Sequence, residues 1–69
     1  MTQKELAYIE DAIGHESNIV KILEKTNEKI EDERLKNFLQ TELIEHVKMK
    51  EQLISKLEEK VNEWSTING

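Results

Sequence analysis

Two stripes of apolar residues at helical spacing, broken once at Glu31-Asp32-Glu33-Arg34, constrain this chain more than anything else in it. In the first half the stripe runs Leu6, Ile9, Ile13, Val20, Leu23 and Ile30, with Ala12 and Ile19 beside it. Its positions 6, 9, 13, 16, 20, 23, 27 and 30 alternate steps of three and four, which is a heptad seam. In the second half Leu35, Phe38, Leu39, Leu43, Met49, Leu53, Leu57, Val61 and Trp64 form one apolar face. The stripe changes phase at residues 31–34, and Asp32 there is a good N-cap with Glu33 in the first turn behind it. The spacing predicts a first helix over about 3–30, a turn at about 31–33 and a second helix over about 33–66. One continuous helix is the alternative to a hairpin. Thr2-Gln3-Lys4-Glu5 matches a capping box at the start of the first helix.

Composition supports long helices. Proline is absent and glycine occurs only at Gly14 and Gly69, so little interrupts a helix. Sixty-nine residues make one small domain with a marginal core, and without cysteine no disulfide can stabilise it. The missing cysteines also exclude thiolate metal sites and thiol catalysis. Self-association is the remaining means of stabilisation, so a homodimer or higher homo-oligomer is expected. The net charge of −5 is spread evenly, with four basic and seven acidic residues in 1–31 and six and eight in 32–69. No basic stripe points to nucleic acid. No apolar run approaches membrane-spanning length and no signal-peptide pattern is visible, so a small acidic, soluble, cytoplasmic protein is expected.

Polar residues interrupt both stripes. Glu16 and Asn27 occupy seam positions of the first helix, and Glu42 and His46 project into the stripe of the second, one turn apart. Asn27 lies close to the turn, where it is either hydrated or fixes register. Glu16 falls near the middle of the apolar face, where a carboxylate requires a partner, a proton or a cation. A turn centred near residues 31–32 sets residue n of the first helix level with about residue 62 minus n of the second. Glu16 is then level with His46, and Glu42 lies one turn nearer the loop. Val61, Trp64 and Ile67 fall beyond the first helix and need another chain to cover them. Lys36, Lys48, Glu51, Gln52, Glu58, Glu59 and Glu63 form the wet side, and His15 reads as a surface residue. Met49 reads as core, and Tyr8 and Trp64 as interface packing.

Two hairpins related by a twofold axis make a four-helix bundle. With the axis near Glu16 and His46, the cluster doubles to four glutamates and two histidines, the donor inventory of a dinuclear carboxylate site. Iron, manganese and zinc are compatible metals. The run Ala12-Ile13-Gly14-His15-Glu16, and that from Leu35 through Glu42, Glu45 and His46 to Leu53, resemble the ferritin-like superfamily. The resemblance covers about residues 6–57 and is to its rubrerythrin-type single hairpins, including encapsulated-ferritin and spore-coat-like two-helix proteins. It implies a half-bundle that completes its four helices by self-association. In metal-binding members it also implies a di-iron site used for iron oxidation or peroxide chemistry. The family pattern on the second helix is Glu-x-x-His, and here the chain departs from it. Leu43 stands three residues before His46, Glu42 stands four before it, and Glu42-x-x-Glu45 ends in glutamate where histidine is expected.

Three functional readings follow. The first is a ferritin-like homodimer that binds a transition-metal pair through Glu16, Glu42 and His46 of both subunits, with weak oxidase or iron-handling activity. Whether the chain is an enzyme stays open. The second is a metal-free structural or interaction module, in which Glu42 and His46 form an i, i+4 pair that Glu16 meets across the hairpin. The third is an antiparallel coiled-coil adaptor that docks a partner around Trp64.

Overall fold

A computed structural model describes the backbone of residues 1–68 and the side chains of residues 1–63. Two helices make up the fold, α1 (Gln3–Lys29) and α2 (Glu33–Asn68), packed against each other as a hairpin. Both starts are fixed by their own sequence. The Glu5 amide donates to Thr2 Oγ1 at 3.1 Å, and the Thr2 amide donates to Glu5 Oε1 at 2.8 Å. At the second start the Leu35 amide donates to Asp32 Oδ1 at 2.9 Å. Each cap satisfies amides that have no partner within the helix. Ile30 ends α1 in an extended conformation, φ −88° and ψ 133°, and so turns the chain at the point where the apolar stripe changes phase.

Only one strip of each helix is covered. On α1 the half-buried positions include Leu6, Ile9, Ile13, Glu16, Val20, Leu23 and Asn27, the heptad seam read from the sequence. On α2 they include Leu39, Leu43, His46, Val47, Leu53, Ile54 and Leu57. None of the described side chains is fully buried, because two helices alone cannot enclose a core. The apolar face expected on α2 is therefore wider than the strip α1 covers. Leu35, Phe38 and Met49 belong to that expected face and lie exposed, which corrects the reading of Met49 as core. Lys36, expected on the wet side, is half-buried and shares with Leu43, Lys50 and Leu57 the line that faces α1. A lysine takes such a place by laying its methylene stem on apolar neighbours while its ammonium reaches water.

The open end also differs from expectation. Val61 does not overrun α1; it lines a groove of about 380 Å³ with Met1, Thr2, Gln3 and Leu6. The side chains of Trp64 and Ile67 lie outside the described residues. Gly14 is exposed, and a Cβ placed on it would meet nothing within 4 Å, so no close approach within the hairpin depends on it. No helix, among the described residues, is long and apolar enough to cross a membrane.

Candidate functional site

Glu16 sits halfway along α1 on the line facing α2, and His46 sits opposite on α2. His46 Nδ1 lies 2.6 Å from Glu16 Oε2, thirty residues apart in sequence. The register rule reached from turn placement alone brings these two residues level, and the contact bears it out. With Glu16 as a carboxylate it can only accept, so the Nδ1–H of His46 donates and Nε2 is left as the free ring nitrogen. Glu16 is 13% exposed and His46 24%, so water reaches the imidazole more readily than the carboxylate.

Glu42 behaves differently. It is half-buried one turn nearer the loop, and it forms no hydrogen bond or ion pair with any described residue. The intrahelical Glu42–His46 bond expected for a metal-free polar core is not made; Glu16 takes the imidazole Nδ1 instead. An i, i+4 carboxylate can approach a histidine only along the helix surface, whereas Glu16 reaches it across the contact strip. Among the described residues no three His, Asp or Glu side chains converge tightly enough to hold a metal ion. The described residues thus bring together the Glu16–His46 pair, with Glu42 one turn nearer the loop.

A second polar contact spans the hairpin near the turn. Asn27 Nδ2 donates to Gln40 Oε1 at 3.2 Å. The level rule places Asn27 beside Leu35, five residues short of Gln40. The offset is local to the turn end, since Glu16 and His46 meet at their level position with none. Asn27 Oδ1 is shielded from solvent and has no partner. Gln40 was not visible from the apolar pattern, because it lies outside the seam; the polar seam residue Asn27 was the only signal of a contact there.

Further polar contacts include the exposed ion pairs Lys56–Glu59 at 3.4 Å and Lys60–Glu63 at 3.3 Å, and the Thr41 hydroxyl, which donates to the Asn37 carbonyl at 3.1 Å. Such surface pairs contribute little. The Glu5 carboxyl is held below the usual carboxylate range by its hydrogen bonds from the Thr2 backbone and side chain.

No protein family, no characterised protein and no solved structure matches the chain. A two-helix hairpin is shared by many unrelated proteins, so the ferritin-like resemblance rests on the residues named above.

Proposed function

We propose that this chain is a self-associating helical hairpin whose function is assembly into a homodimeric four-helix bundle of ferritin-like layout. The observation that carries this reading is surface area. The chain exposes 5665 Å². A compact monomer of 8.1 kDa exposes about 4,500 Å². The excess, about 1,200 Å², is on the scale of what one partner gives up in a stable protein interface, roughly 800 Å². Much of the uncovered surface is apolar and continuous with the helix contact, with Tyr8, Ile22, Leu35, Phe38 and Met49 exposed. Within the bundle the Glu16–His46 pair fixes register, since shifting one helix by a turn separates the two groups. Sedimentation equilibrium from low to high micromolar concentration tests the reading. A twice-chain mass is expected, and a folded species that stays at 8.1 kDa throughout rejects it.

A second reading is favoured by Glu42. This half-buried carboxylate without a partner points to a cation or a donor supplied from outside its own chain. Two copies would bring together Glu16, Glu42 and His46 from each subunit, a donor set suited to iron, manganese or zinc. In that case Glu16 holds the imidazole through Nδ1 and leaves Nε2 to meet the metal. Any oxidase or iron-handling activity rests on this second reading. Metal analysis of untagged protein, followed by melting with and without added iron, manganese or zinc, separates the two. Bound metal or a raised melting temperature supports a metal site; neither leaves assembly as the function.

A further inference from the structure

The uncovered face has an internal order that specifies how a second copy sits on it. On α1 the line 9, 16, 23 faces α2, and Tyr8, His15 and Ile22 each precede a member of that line by one residue. On α2 the line 36, 43, 50, 57 faces α1, and Leu35, Glu42, Met49 and Lys56 each precede a member of it by one residue. The same rotation on two antiparallel helices brings both outer lines onto the same face of the hairpin. Tyr8 and Ile22 are 63% and 62% exposed there, and Phe38, on the flank, is 59% exposed. At the level of Tyr8 the face carries an open groove of about 520 Å³ lined by Met49, Gln52, Leu53 and Lys56.

A twofold dimer can cover this face in two ways. If the axis runs along the helices, both turns lie at one end and α1 packs on the partner's α2. If the axis crosses them, the turns lie at opposite ends and like helices pack together. Charge separates the two arrangements. With the axis crossing at the level of Glu16 and His46, Lys4 comes level with the partner's residue 28, between Lys25 and Lys29 on the facing side, and Glu45 lies within two residues of the partner's Glu45. With the axis along the helices, level residues stay level: Lys4 lies within one residue of the level of the partner's Glu59, and His15 within two of the partner's Glu45. Opposed like charges select against an arrangement and complementary ones select for it. In the second case Tyr8 also arrives over the groove at residues 49–56.

We propose that the groove of Met49, Gln52, Leu53 and Lys56 receives Tyr8 of a second copy, in a twofold dimer whose two turns lie at the same end. Tyr8 presents a flat apolar ring to Met49 and Leu53 and a hydroxyl to Gln52 and Lys56. Each copy supplies one ring and one groove, so the contact closes on itself and assembly stops at two chains. The inference rests on the homodimer proposed above, and its test separates the two.

The chain has no cysteine, so a single introduced one is a unique label site. Glu31→Cys lies in the exposed turn, clear of both helices. Spin labels attached there are expected to show an interlabel distance of about 20 Å, set by helices 8–10 Å apart across the bundle. A distance near the 53 Å length of the hairpin overturns the same-end arrangement while leaving the dimer intact. No dipolar coupling at all, with monomer mass, overturns both. A second measurement reads the docking itself. Mixed Tyr8→Cys and Gln52→Cys chains are expected to form a heterodisulfide under mild oxidation in preference to either homodisulfide. Homodisulfides forming equally well would overturn the placement of Tyr8.

Discussion

Two polar contacts between the helices, Glu16–His46 and Asn27–Gln40, are built differently. Midway along, His46 Nδ1 and Glu16 Oε2 meet at 2.6 Å. Near the turn, Asn27 and Gln40 meet at 3.2 Å, and the exchange strands Asn27 Oδ1 out of reach of water or partner. Glu16 and His46 stand on facing lines, level with each other, where only one shift of the helices satisfies both. Asn27 stands on the seam but Gln40 at its margin, so the amide pair accepts a reach of several residues and specifies register poorly. A polar group in an apolar strip therefore specifies structure only when its partner is also on the strip.

The largest expected effect comes from splitting the first pair. Glu16→Ala leaves the His46 imidazole without its acceptor and is expected to cost about 1–3 kcal/mol in urea unfolding. Replacing both residues together, Glu16→Leu with His46→Leu, is expected to restore that loss or exceed it, at the expense of a unique register. A double variant as unstable as Glu16→Ala would show that the pair stabilises the hairpin in a way apolar packing cannot replace. The second contact predicts the opposite sign. Asn27→Leu removes the stranded oxygen and is expected to be neutral or stabilising by up to about 1 kcal/mol in the same assay. A loss comparable to that of Glu16→Ala would erase the contrast between the two levels.

Smaller effects calibrate the comparison. Gly14→Ala lies two residues from Glu16 on an open surface and is expected to stabilise α1 by up to about 1 kcal/mol without altering either contact. The capping box gives the pH-dependent change. Glu5 has its carboxyl lowered in the fold by hydrogen bonds from Thr2, so its contribution is present above the ordinary carboxylate range. It is lost as pH falls through the lowered folded value, and the protection of the first-turn amides from hydrogen exchange, relative to their intrinsic rates, should fall there. The same pH change in Glu5→Gln should leave that protection unchanged.

Much of this was legible in the residues. Asp32 and Thr2 marked both helix starts because capping is local chemistry, decided by a few adjacent residues. The Glu16–His46 contact followed from turn position and helical rise, two quantities a sequence carries when its helices are unbroken. Exposure at Met49 and Phe38 was not legible, because an apolar stripe records that a face is covered but not by which chain. Lys36 was misplaced for a related reason: residue type alone reads a lysine as wet, although its stem packs as an apolar chain. The partner of Asn27 was hidden because Gln40 lies five residues past the level position and outside the apolar seam, where periodicity leaves no mark. Glu42 is the residue on which sequence and structure leave the sharpest question. Both place it inside the strip, and none of the described residues bonds to it.

The most direct test of the central claim is the melting temperature as a function of protein concentration. Folding completed by a second copy is linked to association, so the melting temperature should rise steadily from low to high micromolar chain concentration. A melting temperature independent of concentration, with full helical signal at the lowest concentration, would show that a single hairpin is stable with its apolar face open and would contradict the account.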